Sequence, residues 1–80
     1  MPDDFAHHLA EDLINARTEK GLNQMFAAEL SNLSVREYQH IEKGLRIPRA
    51  DHFLRMVYFL DLDVENYREE LTGDVLIPPR

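Results

Sequence analysis

The sequence predicts an all-α fold, a compact domain of five short helices followed by a short C-terminal tail. Three observations carry this reading. Apolar residues recur at helical spacing along most of the chain. Capping residues and Gly or Asn stops fall between the periodic segments. Strand signals are scarce, with no sustained period-2 alternation and no Asn-Gly or Asp-Gly hairpin turn. At 80 residues with 44% hydrophobic and 30% charged content, the chain has the composition of one folded domain. Its core must be modest at this length.

The first helix is marked by Phe5, Leu9, Leu13 and Ala16 and ends near Lys20, with Gly21 as its stop. Asp3 or Asp4 can cap its start. Asn23 caps a short second helix from Gln24 to about Ser31. Asn32 then stands where the chain must turn sharply, and Asn tolerates the left-handed conformation better than most residues. Ser34-Val35-Arg36-Glu37 has the form of a capping box and opens a third helix that runs to Lys43 and stops at Gly44. Pro48 lies in the next loop, and a fourth helix covers roughly residues 50–60. Asp63 caps a fifth, with Val64, Tyr67 and Leu71 on one face. The expected division is a domain over 1–71 and a tail over 72–80 containing Val75-Leu76-Ile77.

Charge is distributed unevenly. The chain carries a formal −6, with 15 acids against 9 bases. Taken whole, that balance argues against nucleic acid, whose binding rests on phosphate neutralisation. Yet residues 34–60 hold five bases against three acids, and the excess acid lies at the two ends. The basic residues therefore gather on the third helix and the loop after it.

Two capped short helices joined by a brief turn, the second with basic flanks, form a helix-turn-helix pattern. The stretch Ala16-Arg17-Thr18-Glu19-Lys20-Gly21-Leu22-Asn23-Gln24 leads into it. Ala28, Glu29 and Ser34 follow, then Ile41-Glu42-Lys43-Gly44 with Arg46 and Pro48, then Leu54, Leu60 and Asp63-Val64. In these residues, at this spacing, the sequence resembles the Cro/CI-like (XRE) family of helix-turn-helix domains, the phage-repressor type. The likeness runs from about Leu9 to Leu71. It implies a lambda-repressor-like fold and DNA binding. Asn32 stands where the family often has Gly, Ala27 where a larger aliphatic is usual, and Phe26 where a polar residue is usual. Glu37 stands where a small or neutral residue is common.

The resemblance implies that Gln24 contacts a DNA phosphate and buttresses the recognition helix. It places Val35, Arg36, Gln39 and His40 as readers of base edges in the major groove. Arg36 suits guanine, Gln39 adenine, and Val35 a thymine methyl. The plain alternative is that these four are surface residues between core positions Tyr38 and Ile41. Glu37 has a simpler role, closing the capping box on Ser34. Arg17 and Glu42 resemble a pair that ties the first helix to the third by a partly buried salt bridge. Lys43, Arg46 and Arg49 lie in the net-positive segment, which favours phosphate contact over an ordinary solvated charge cluster.

The fourth helix is apolar nearly all round from Phe53 to Leu60, with Arg55 its single charge there. Such a helix calls for a second buried face. The expectation is a homodimer or partner surface built from Tyr58, Phe59, Tyr67, Val75, Leu76 and Ile77. Met25 and Phe26 read as a small exposed pair, or else Phe26 fills the space left by Ala27.

No cysteine is present, which excludes disulfides, thiol nucleophiles and thiolate metal sites. His7-His8 lacks the spacing of a metal site, and His40 and His52 have no acidic partner at catalytic spacing. No nucleophile motif, phosphate-cradling Gly loop or paired carboxylates appear. The expectation is therefore a cytoplasmic protein that is no enzyme and needs no metal or cofactor. Its longest apolar stretch, Met56 to Leu60, is too short for a membrane span, and Met1 to Ala10 does not read as a signal peptide. The expected function is a sequence-specific regulator binding double-stranded DNA, a dimeric repressor reading a pseudo-palindromic operator. The rival is an interaction module on the same fold, an antirepressor or antitoxin component.

Overall fold

The computed structural model describes residues 3–68. Four α-helices and one 3-10 turn make up these residues: α1 (Asp3–Glu19), α2 (Gln24–Leu30), α3 (Val35–Glu42), α4 (Ala50–Leu60) and the turn Val64–Tyr67. The helix α1 already includes Asp3 and Asp4, so these residues form its first turn instead of capping it from outside.

The chain leaves three successive helices by the same device. After α1, Gly21 takes φ +70°, its N–H donates to the Thr18 carbonyl, and that of Leu22 donates to the Arg17 carbonyl. After α2, Asn32 takes φ +62°, with Asn32 N–H to Glu29 and Leu33 N–H to Ala28. After α3, Gly44 takes φ +75°, with Gly44 N–H to Ile41 and Leu45 N–H to His40. Each is a Schellman ending, which satisfies carbonyls the helix would leave bare. Asn32 sustains it without Gly because Asn visits the left-handed region at small cost. Gly44 is constrained twice, since a Cβ there would also meet the His7 ring at 2.7 Å.

The core is built from Leu9 and Leu13 of α1, Ala27 and Ala28 of α2, Tyr38 and Ile41 of α3, and Met56 and Leu60 of α4. Ala27, where a larger residue is usual in the resembled family, is fully buried, and Tyr38 and Met56 fill the same core. Phe26 stays 47% exposed and so does not take up Ala27's volume.

The expected fifth helix is a single 3-10 turn in the described residues, capped by the Asp63 side chain accepting from the Glu65 N–H. Leu71 and the tail with Val75, Leu76 and Ile77 lie outside the described residues. Tyr67 requires a correction. It was expected on a partner surface, but it is fully buried. Its ring meets Phe5 and Phe53 edge-on at 5.3 and 5.8 Å, and its hydroxyl donates to Asp12. An amphipathic residue is buried in this way when its polar tip finds an acceptor and its ring finds other rings. The 3-10 turn is thereby fastened to α1.

Candidate nucleic-acid interface

The helices α2 and α3 and the turn at Asn32 form the helix-turn-helix, with α3 in the place of the recognition helix. Its start is a complete capping box. Ser34 Oγ accepts from the Glu37 N–H at 3.1 Å, and Glu37 Oε1 accepts from the Ser34 N–H at 3.1 Å and its hydroxyl at 3.0 Å. These bonds hold the Glu37 carboxyl below the usual carboxylate range, with Arg46 and His52 adding attraction. The carboxylate is thus turned back onto its own helix start.

The inner side of α3 is fastened by a chain of polar bonds. Arg17 Nε donates to Glu42 Oε2 at 2.6 Å, and a second guanidinium nitrogen donates to Oε1 at 3.2 Å. The Glu42 side chain is only 4% exposed and Arg17's 18%. Gln24 Nε2 donates to Glu42 Oε1 at 2.9 Å, and Gln39 Nε2 donates to Gln24 Oε1 at 3.0 Å. Burial by itself would raise the Glu42 pKa. The bonds from Arg17 and Gln24 outweigh it and hold the carboxyl low. Bonding to Glu42 likewise raises the Arg17 pKa. The buried Tyr38 hydroxyl lies beside this pair without completing a hydrogen bond of good geometry. Burial, and then the Glu42 carboxylate, push its ionisation far above the usual phenol range.

From the other side, α4 grips the end of α2. His52 Nδ1 lies 2.9 Å from the Ser31 carbonyl oxygen. A carbonyl only accepts, so Nδ1 carries the proton. Arg55 Nε donates to the Leu30 carbonyl at 2.9 Å. Two consecutive carbonyls at the helix-turn-helix corner thus receive donors from α4. Neither partnership is legible by spacing, because 21 and 25 residues separate the groups.

The expected contact residues divide into two sets. Arg36, Lys43 and Arg46 are exposed, His40 is half-buried, and none of the four makes a side-chain hydrogen bond or ion pair among the described residues. Arg36, His40 and Lys43 follow one another at i, i+4 and i+7, so they share one outer face of α3. The others are engaged. Val35 is half-buried against the core. Gln39 and Gln24 hold each other, and Gln24 also holds Glu42. Arg49 pairs with Asp51 at 2.9 Å, though both stay exposed. The loop from Gly44 to Arg49 leaves a cleft of about 250 Å³ against α3, lined by Glu37, Ile41, Arg46, Pro48 and His52 among others. Among the described residues no group of His, Asp and Glu is arranged to hold a metal ion. No helix there is long and apolar enough to cross a membrane.

No curated protein and no solved structure matches the chain. A family model does, the one described as helix-turn-helix, over residues 13–67. That span covers more than half of the chain and runs from the middle of α1 through the 3-10 turn. The chain therefore belongs to the Cro/C1-type (XRE) family of helix-turn-helix domains, a DNA-binding and non-catalytic family.

Proposed function

We propose that this protein is a transcriptional regulator that binds duplex DNA sequence-specifically, and that it acts as a dimeric repressor on a pseudo-palindromic operator. The observation that carries this reading is the division of labour on α3. Its inner polar groups are bonded inward, while Arg36, His40 and Lys43 form an outer face without side-chain partners among the described residues. A rigid helix with unsatisfied donors on one face is what major-groove reading requires. In this reading Arg36 and His40 contact base edges, with Val35 packing on the nearest base. Gln39 contributes through its hold on Gln24. Lys43, Arg46 and Arg49 take phosphates, together with Gln24. A carboxylate near DNA would repel phosphate, and the capping box lessens this by holding Glu37 back on Ser34 at the start of its own helix.

Selection of bound DNA from a random duplex pool tests the proposal. A palindromic consensus with half-sites about one helical turn apart is the expected result. On that site, Arg36→Ala should cost about 1–3 kcal/mol and relax preference at one position, whereas Arg46→Ala should weaken all sequences alike and lower the salt slope by about 1. Absence of any shift on duplex DNA at low salt would overturn it. That outcome would favour the interaction-module reading, which the −6 charge and the apolar outer face of α4 suit.

A further inference from the structure

His7 of α1 lies over Gly44, at the point where the chain leaves α3. A Cβ on Gly44 would meet the His7 ring at Cδ2, 2.7 Å away, and at Nε2, 3.4 Å away. The ring can come this close because glycine has no side chain. Gly44 directly follows Lys43 and stands two residues before Arg46, both exposed and without side-chain partners among the described residues. His7 is also exposed and makes no side-chain hydrogen bond or ion pair among the described residues. Its neighbour is engaged elsewhere. His8 lies 3.5 Å from the Asp12 carboxylate, and its ring is 4.8 Å from that of Tyr67. The adjacent histidines therefore face different elements, His8 the 3-10 turn and His7 the end of α3. His7 precedes the residues that match the family model, 13–67, so no contact of the family is carried over to it.

We propose that His7 is a further contact to the DNA backbone, added by α1 to the phosphate-binding strip of Lys43 and Arg46, and that it makes DNA affinity depend on pH. This rests on the DNA-binding reading above. Gly44 stands between those two cations and offers no side chain, so the surface that a phosphate meets there is the His7 ring. A neutral imidazole offers one N–H. The protonated ring offers two and a positive charge, and charge-assisted bonds to phosphate are the stronger kind. Imidazole changes charge in the physiological pH range, which lysine and arginine on the same strip do not. By chain position, the charged and titratable groups nearest His7 are Lys43 and His40 at the end of α3 and Arg46 in the loop, with Asp3, Asp4 and Glu11 within one turn along α1. A phosphate entering this set adds negative charge beside the ring and favours its protonated form. Proton uptake then accompanies binding, and by reciprocity binding tightens as pH falls.

The test measures the salt dependence of random-duplex binding by the full chain, His7→Ala and His7→Lys, at about pH 8 and about pH 5.5. At the lower pH, His7→Ala should make the slope of log K against log salt shallower than wild type by about 1, and at the higher pH it should leave the slope nearly unchanged. Lysine keeps its charge at both values, so His7→Lys at about pH 8 should be steeper than wild type by about 1. Comparing the chains at one pH removes the contribution of His40, which is present in all of them. His7 is exposed, so neither substitution should move the melting temperature much. Equal slopes for wild type and His7→Ala at about pH 5.5, with duplex still bound, would overturn this inference and leave the DNA-binding reading standing. So would a His7→Lys chain whose slope at about pH 8 matches that of His7→Ala. A wild-type chain that binds no duplex at either pH would overturn both.

Discussion

The helices α3 and α4 are of similar length and sit in the same core, yet they treat their outer faces in opposite ways. On α3, of eight residues, Glu42 and Gln39 near the core are bonded to Arg17 and Gln24, the exposed Glu37 is bonded back to Ser34, and the charged or imidazole groups left without a partner among the described residues are Arg36 and His40, with Lys43 just beyond the helix. On α4, of 11 residues, the polar groups His52 and Arg55 are spent on gripping α2, Asp51 pairs with Arg49 at the helix start, and the rest of the outer face is apolar. A face of unsatisfied donors suits a polyanion. A face of hydrocarbon suits another protein surface. The difference teaches that each helix spends its inner polar groups on holding the helix-turn-helix together, and leaves its outer residues for whatever lies outside.

The comparison can be broken most severely at Glu42. Glu42→Ala leaves Arg17 half-buried and unpaired, and should cost about 3–5 kcal/mol, read as a large fall in Tm. The pH dependence has a definite sign. Glu42 is held low when folded, so its contribution is complete above the ordinary carboxylate pKa and is lost as pH falls through the lower folded value. Wild type should therefore lose stability below about pH 4.3, and Glu42→Gln should lose less over that window. An unchanged acid limb in Glu42→Gln would remove the pair from the account.

The two faces of α4 give the next contrast. Met56→Ala empties a fully buried site and should cost about 2–5 kcal/mol in denaturant unfolding, whereas Leu54→Ala, exposed, should change stability by less than about 0.5. Equal costs would mean that the outer face is already covered within one chain.

A smaller effect is expected at His52. His52→Ala leaves the Ser31 carbonyl without its donor from α4, at about 1–3 kcal/mol, and amide exchange near Asn32 should speed more than exchange in α1. Uniform acceleration would show that the contact supports the whole fold and not the corner.

The smallest effect is at the corner itself. Asn32→Ala should cost about 1 kcal/mol, because φ is positive there, while Asn32→Gly should be near neutral or slightly stabilising. If Ala and Gly behave alike in thermal melts, the left-handed geometry is not what Asn32 supplies.

Much of the architecture was legible because its causes are local. Gly21, Asn32 and Gly44 stop helices through their own backbone freedom, and Ser34 with Glu37 starts one within a single turn. The extent of α4 follows from apolar spacing. The candidate site was legible only in part. Arg36, Lys43 and Arg46 were readable as charges on a basic segment. That Gln39 is held by Gln24 was not readable, since the two are 15 residues apart. Tyr67 was misplaced for the same reason. Its spacing with Val64 and Leu71 suggested an amphipathic helix, but the rings that bury it come from Phe5 and Phe53, far away in sequence.

By itself, then, the sequence determined where α2, α3 and α4 begin and end to within a residue, that α3 carries the basic flanks, and that α4 has apolar residues on nearly every side. These follow from dihedral preference, capping and periodicity, which act over a few residues. Tertiary structure decided which polar groups are spent and which are free. It tied Gln39 to Gln24, set His52 and Arg55 on the α2 carbonyls, and left Leu54 and Tyr58 outside. Those outcomes depend on contacts between distant segments, and a hydrogen bond or a buried face exists only once packing brings both partners together.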